Sequence, residues 1–129
     1  MNTLHIEAGT YTPEILLQPK TNEFSITGKS YPVNPSTLYN PVFEWFTEYF
    51  NSNSENNEIR IQFDFEYINT SSSKQIAKLL NMFAKCARYN ITIIWKYDEN
   101  DIDMLEMGQR FKIYTNLQFK FKAKVSDAC

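Results

Sequence analysis

The sequence has few of the residues on which disulfide-bonded, metal-binding and hydrolytic proteins depend. Its 129 residues include two cysteines, one histidine and three glycines. Cys86 and Cys129 form neither a CxxC pair nor a metal-ligand spacing, so a reduced intracellular setting is the simplest interpretation. His5 has no serine or cysteine nucleophile associated with it in the sequence, which argues against a hydrolytic triad. We therefore expect no catalytic residues, no metal ion and no cofactor.

The chain also lacks a marked charge imbalance and a long hydrophobic run. Thirteen basic against fifteen acidic side chains give a formal net charge of -2, which favours neither a nucleic-acid-binding surface nor an anionic-membrane anchor. No apolar stretch is long enough to span a bilayer. Residues 1–5 lack the basic and apolar segments of a signal peptide. We therefore expect a cytoplasmic protein.

What is present is an ordinary globular composition with many aromatic residues. Hydrophobic residues make up 43% and aromatic residues 16% of the chain, which suits a folded core and aromatic-rich strands. The length fits one domain over residues 1–129.

Hydrophobic periodicity predicts strands that alternate with helices. In the clearest strand, Ile59, Ile61, Phe63, Phe65 and Tyr67 alternate with polar residues. The other predicted elements are a hairpin of strands 15–17 and 24–26 joined at 20–22, a loop at 28–32, helices at 35–50, 73–89 and 101–111, a polar linker at 51–57, and strands at 91–95 and 119–124. In the first helix, we expect Asn40 to be the N-cap of the main part and Pro41 to lie in the first turn of that part.

The strand pattern predicts the layer architecture. Strands covered by helices on both faces are apolar throughout, whereas the strands at 59–67 and 119–124 are apolar on one face and charged on the other. We predict an α/β fold, a mixed sheet with the helices packed mainly on one face. Strands 59–67 and 91–95 should be parallel, with a right-handed crossover through the helix between them.

The segment 69–73, Asn-Thr-Ser-Ser-Ser, lies between a strand and a predicted helix. Backbone N–H groups lack partners at a helix start and the helix dipole is positive there. Helix capping requires one such polar residue, and this segment has five. The local sequence supports capping alone and a functional turn equally.

Three motifs carry a resemblance to a known family. They are GKSYP at 28–32, EYINTSS at 66–72, and WKYDE at 95–99, the last followed by acidic residues and Gly108. In their order and spacing the chain resembles the SiaC type of small STAS-like regulatory phosphoprotein over almost its whole length. In the related anti-sigma-factor antagonists, Asp-Ser-Ser-Gly occupies the strand-to-helix turn and its first serine is phosphorylated. Asn69 matches that aspartate, and Thr70 matches the phosphoacceptor.

The resemblance implies a non-enzymatic phospho-switch protein. A partner serine/threonine kinase would phosphorylate Thr70 and a PP2C-like phosphatase would reverse it. The unmodified form would bind and regulate an output protein, by resemblance a diguanylate cyclase in biofilm and c-di-GMP signalling. Asn69 in place of Asp, and Ser72 where Gly would follow, argue against sigma-factor control. The alternative is a small anion- or ligand-binding domain that uses the 69–73 turn.

Residues around the turn are predicted to contact partners. They are Asn69, Ser71 and Ser72 in the turn, Lys29, Ser30 and Tyr31 in the predicted loop, and Asp98, Glu99 and Asp101 in the acidic segment 98–106. That acidic segment has three interpretations: charge at a helix start, a site for a hard cation, or an exposed patch for a partner. It lacks the register and the glycine of an EF-hand, and helix-start charge is favoured over a metal site.

Overall fold

Over residues 1–52 and 57–125, which the structure describes, a computed structural model of the chain contains six strands and three helices. They are β1 (Leu4–Ile6), β2 (Glu14–Gln18), β3 (Glu23–Ser30), α1 (Pro35–Phe50), β4 (Glu58–Ile68), α2 (Thr70–Ala84), β5 (Asn90–Asp98), α3 (Ile102–Thr115) and β6 (Gln118–Lys124). Cys129 and most of the predicted linker 51–57 lie outside the described residues. Among the described helices, none is long and apolar enough to cross a membrane.

The strands form one mixed sheet in the order β1-β2-β3-β4-β5-β6. The first three are antiparallel, and β3, β4, β5 and β6 run parallel. Each parallel connection passes through one helix and moves the chain to the next strand in the same direction. Because such crossovers share one hand, all three helices pack on the same face of the sheet. The predicted α/β fold, with its helices on one face, is confirmed.

The core lies between that face and the helices. On β4, alternate residues from Ile59 to Phe65 are buried, while Arg60 is exposed on the opposite face. Phe46 of α1 packs edge-on against Phe83 of α2 with ring centroids 4.8 Å apart. The opposite face of the sheet, which no described helix covers, carries a salt bridge. The Lys124 ammonium of β6 donates to the Asp64 carboxylate of β4.

The span of α1 is the predicted one, 35–50, but the roles expected of Asn40 and Pro41 are wrong. Asn34 is the cap, Pro35 occupies the first turn and Pro41 lies inside the helix. α2 covers 70–84 instead of 73–89, because Asn69 caps it early and the segment after it turns back toward β5. Tyr89 in that segment is buried against Phe50, with ring centroids 5.1 Å apart.

The predicted loop at 28–32 is also corrected. β3 continues to Ser30, and Gly28 takes φ 121°, a left-handed conformation that favours glycine. Here the parallel register shifts, since Gly28 pairs with Phe65 and Lys29 pairs with Tyr67, which leaves Glu66 without a register partner. This β-bulge at Glu66 reverses the alternation of buried and exposed side chains along β4. Tyr67 is therefore 52% exposed rather than interior, and Ile68 is buried in its place.

The third helix is fixed to the sheet through a buried tryptophan. The Nε1–H of Trp95 on β5 donates to the carbonyl oxygen of Met104 on α3 at 3.0 Å. Gly108, one turn further along α3, lies against the same ring. A Cβ at Gly108 would stand 2.6 Å from Trp95 Cδ1 and Nε1, and 2.9 Å from Phe121 Cε1. The close approach of helix and ring thus requires glycine here.

We expect Gly108→Ala to lower the free energy of unfolding by about 1–3 kcal/mol, the usual cost of overpacking a core. The added methyl group would collide with a ring that is fully buried and hydrogen-bonded. In an exposed helix the same change stabilises by roughly 1 kcal/mol. Urea denaturation measures the difference, with exposed Gln109→Ala as the neighbouring control. A rise in stability for Gly108→Ala would contradict the packing argument.

Candidate functional site

The segment predicted to be a turn is the first turn of α2. Asn69 is the N-cap, and its Oδ1 accepts a hydrogen bond from the backbone N–H of Ser72 at 2.9 Å. Its backbone carbonyl accepts from the N–H of Ser73 at 2.9 Å. The helix therefore begins directly at the carboxyl end of β4, where its unpaired N–H groups and positive dipole lie.

The four hydroxyls of this turn have different environments. Thr70 and Ser71 are exposed, and Ser72 is fully buried. Ser73 is half-buried, and its hydroxyl donates to the carbonyl of Thr70 at 2.7 Å. An enzyme that approaches from solvent therefore meets Thr70 and Ser71 first.

Ser72 belongs to a buried chain of hydroxyl groups. Its Oγ accepts from the hydroxyl of Ser30 at 2.9 Å, and Ser30 Oγ lies 2.7 Å from the hydroxyl of Tyr39 on α1. Because a serine hydroxyl has one hydrogen, and Ser30 uses its own toward Ser72, Tyr39 donates to Ser30. The structure thus corrects the prediction that Ser30 and Ser72 contact a partner directly. Both hydroxyls face the interior, where they satisfy each other.

Burial raises the pKa of Tyr39 from 10.0 to about 12, because the phenolate would lose its hydration. The hydrogen bond with Ser30 offsets part of the shift, since the serine hydroxyl can rotate and donate to a phenolate. At neutral pH the Tyr39 hydroxyl is therefore protonated and acts as the donor in the hydroxyl chain.

Lys29 and Tyr31, unlike Ser30 between them, reach the surface. The Lys29 ammonium lies 3.9 Å from the Glu66 carboxylate, and both side chains are largely solvated, so this pair contributes little stability. Tyr31 is half-buried between two other tyrosines. Its ring packs edge-on against Tyr11 at 5.1 Å and against Tyr67 at 5.5 Å between centroids.

The acidic segment has structural roles at the start of α3. Asp101 is the N-cap, and its Oδ1 accepts from the N–H of Met104 at 3.1 Å. The Asp98 Oδ1 accepts from the N–H of Asn100 at 2.9 Å, and the backbone N–H of Glu99 donates to the carbonyl of Lys124 at 2.9 Å. These bonds support the helix-start interpretation. Across residues 1–52 and 57–125, no group of three or more metal-ligating side chains comes together.

The structure therefore brings the GKSYP and EYINTSS motifs into contact. The backbone N–H of Asn69 donates to the carbonyl of Ser30 at 3.0 Å, in addition to the bond between the Ser30 and Ser72 hydroxyls. A cavity of about 270 Å³ joins the end of β4 to the start of α3, with Glu66, Asp101 and Asp103 in its wall. Tyr39 was not predicted to belong to this site. Its spacing of three and seven residues from Val42 and Phe46 would have placed it on the buried side of α1.

A family model described as SiaC family regulatory phosphoprotein matches residues 6–124. The chain belongs to the SiaC family. The match covers all three motifs and every described element except the first two residues of β1.

Relatives and solved structures agree with this assignment. An uncharacterized protein of Pseudomonas aeruginosa strain UCBPP-PA14 is 25% identical over 125 residues, which is 95% of this chain and 98% of that protein. The crystal structure of apo-SiaC from Pseudomonas aeruginosa matches with a TM-score of 0.87 and 25% identity, over 95% of this chain and all of that one. A chain in the Pseudomonas aeruginosa structure of the diguanylate cyclase SiaD in complex with its activator SiaC matches with a TM-score of 0.85. It is 24% identical and covers 94% of this chain and 99% of that one.

We expect stability to fall between pH 10 and pH 12 because of Tyr39. Its pKa is higher in the folded state, so the unfolded chain loses its proton first and unfolding becomes more favourable as pH rises. A shift of two pKa units corresponds to a full loss of roughly 2.7 kcal/mol once both states are ionised, most of it reached by pH 12 and almost none below pH 9. Urea denaturation at several pH values measures this decline.

Tyr39→Phe is the matched control because it keeps the ring and removes the ionisable hydroxyl. Its stability at pH 7 should be lower by about 0.5–1.5 kcal/mol, the value of one hydrogen bond. Its curve should lack the additional decline above pH 10. Parallel curves for the two proteins would mean that Tyr39 does not titrate as its burial requires.

Proposed function

We propose that this SiaC-family protein is a non-enzymatic phospho-switch whose acceptor is Thr70. The observation that carries the proposal is that Thr70, whose hydroxyl would take the phosphate, is an exposed residue at the first position of α2, in a chain whose family is described as regulatory phosphoproteins. A kinase can reach this hydroxyl without unfolding the domain. The family resemblance selects Thr70 over Ser71, which is also exposed.

The unmodified protein would bind and activate a diguanylate cyclase, with a kinase and a PP2C-like phosphatase setting the modified fraction. The support is that SiaC of Pseudomonas aeruginosa is the activator of the diguanylate cyclase SiaD and forms a complex with it. We place this activity in the cytoplasm. In this proposal Asn69, Ser71, Lys29, Tyr31, Asp98, Glu99 and Asp101 supply contacts to partners, while Ser30 and Ser72 support the turn from inside.

Phosphorylation would act through local charge. A phosphate adds about -1.5 to -2 charges at neutral pH. At the start of α2 its interaction with the helix dipole is favourable by about 0.3–1 kcal/mol, so the fold should persist. A partner that packs over Thr70 would instead have to bury a dianion without a counter-charge, at a cost of several kcal/mol. The switch would thus weaken the complex and leave the domain folded.

The geometry gives less support to the alternative, a small anion-binding domain. The N–H groups of Ser72 and Ser73 already donate to Asn69, which removes two donors that an anion would use. The cavity beside the end of β4 has three carboxylates, those of Glu66, Asp101 and Asp103. Carboxylates repel an anion, so this cavity does not favour the anion-binding alternative.

We expect the cognate kinase to phosphorylate Thr70 in preference to the serines of the same turn. Ser72 is buried and Ser73 is bonded to the Thr70 carbonyl, so both are poorly accessible. Fragment-ion mass spectrometry after a kinase reaction locates the phosphate. Thr70→Ala serves as the control and should lose most of the incorporation. Phosphate found chiefly on a serine would refute the assignment.

We expect Thr70→Asp and Thr70→Glu to bind the cyclase at least about a hundredfold more weakly than wild type, since each 1.4 kcal/mol is a factor of ten. Thr70→Ala should bind like the unmodified protein. Isothermal titration calorimetry with the diguanylate cyclase of the same organism measures the affinities. All three variants should keep near-native melting temperatures, because acidic residues are favourable at a helix start.

Ser36→Asp is the matched control, because Ser36 is likewise an exposed hydroxyl in the first turn of a helix, α1. It should leave the affinity unchanged. The charge mechanism fails if the acidic variants at Thr70 bind as tightly as wild type, or if they lose affinity only because they unfold early.

A further inference from the structure

Ser30 is hydrogen-bonded to the turn 69–73, although it lies 40 residues before Thr70 in the sequence. It makes three hydrogen bonds at the end of β3. Its carbonyl accepts from the N–H of Asn69 at 3.0 Å, its hydroxyl donates to Ser72 at 2.9 Å, and its Oγ lies 2.7 Å from the Tyr39 hydroxyl. One serine thereby connects the cap of α2, the third residue of α2 and the side of α1.

These bonds fix how α2 is turned about its axis. Thr70, Ser71 and Ser72 occupy the first three helical positions, and successive side chains of a helix point about 100° apart. The bond between Ser30 and Ser72 holds the Ser72 hydroxyl inward, and this leaves the hydroxyl of Thr70 outside. A small rotation or unwinding of this turn would exchange the exposed and the buried hydroxyls.

Solvent does not replace the bonds if one is removed. Ser30 and Ser72 have no exposed surface, and Tyr39 is 1% exposed. A variant without the Ser30 hydroxyl therefore leaves the Ser72 oxygen and the Tyr39 hydroxyl without this partner in the interior, which favours an opened or rotated turn.

We propose that Ser30 and Tyr39 are positioning residues that select Thr70 as the acceptor, by holding Ser72 inward through the buried hydroxyl chain. The inference rests on the proposed function of Thr70 and adds what determines its selectivity. Neither residue contacts the kinase. They act through the orientation of the first turn of α2.

The test compares Ser30→Ala, Ser72→Ala and Tyr39→Phe with wild type in a reaction with the cognate kinase. For Ser30→Ala we expect the phosphate found on Ser72 to rise at least about fivefold, because loss of one or two buried hydrogen bonds multiplies the population of the rotated turn by about that factor. The rate at Thr70 should fall in proportion to the population that leaves the native turn. The ratio of phosphoserine to phosphothreonine should rise, because Ser72 becomes exposed. Ser72→Ala should slow modification of Thr70 similarly, and Tyr39→Phe should have a smaller effect because it keeps the bond between Ser30 and Ser72.

Amide hydrogen exchange supplies a readout without the kinase. The N–H groups of Ser72 and Ser73, which donate to Asn69, should exchange at least about fivefold faster in Ser30→Ala if the turn opens. The control is Ile59→Val, a buried change at the opposite end of β4. It lowers overall stability but should alter neither the phosphate distribution nor these two exchange rates.

The outcomes separate this inference from the proposed function. The inference alone would be overturned by the following result. Wild type is phosphorylated at Thr70, and Ser30→Ala has the same phosphorylation rate, the same ratio of phosphoserine to phosphothreonine and the same amide exchange rates. An equal effect of Ile59→Val would also overturn it, because the effect would then reflect general stability. Failure of the kinase to modify wild type anywhere in 69–73 would overturn the proposed function, and the inference with it.

Discussion

The site depends on the parallel order of strands β3 to β6. From β3 to β6 each crossover advances by one strand, and crossovers of one hand leave all helices on a single face. The carboxyl ends of β3, β4 and β5 therefore share one edge, and the helices α2 and α3 begin there. Both are capped at that edge by a side chain, Asn69 or Asp101. Two helix starts and a buried serine thus meet where the strands end.

The first two sequence motifs are linked by contacts in the fold, and the third is held by a contact within itself. Ser30 of the first motif bonds to Asn69 and Ser72 of the second. In the third, Gly108 provides the space that the Trp95 ring occupies. Each motif therefore includes a residue whose identity is constrained by a contact with a residue that is not its sequence neighbour. Such pairs explain why the motifs together are more informative than any one of them alone.

The sequence predicted the elements whose signal is local periodicity. The span of α1, the hairpin of β2 and β3, the parallel pair of β4 and β5, and the one-sided packing were all correct, because apolar spacing and the handedness of crossovers suffice for them. The start of α2 was placed three residues late, since capping by Asn69 draws Thr70 into the helix. The orientations of Ser30 and Tyr67 were not predictable from periodicity. Tyr67 follows a bulge, and Ser30 is buried because Tyr39 and Ser72 offer it partners.

Because of the bulge at Glu66, the number of residues between the bulge and the end of β4 decides which side chains face the helices. Before it, odd-numbered residues face the helices, and after it the even-numbered Ile68 does. Side chains of a strand alternate with a period of two, so a shift by one residue exchanges the two faces. One residue added to or removed from the strand after the bulge would present the opposite side of Asn69 to β3. Two residues would restore the orientation and displace the helix start along the strand. The position of Thr70 is therefore set by the count of residues between the bulge and the cap as much as by their chemistry.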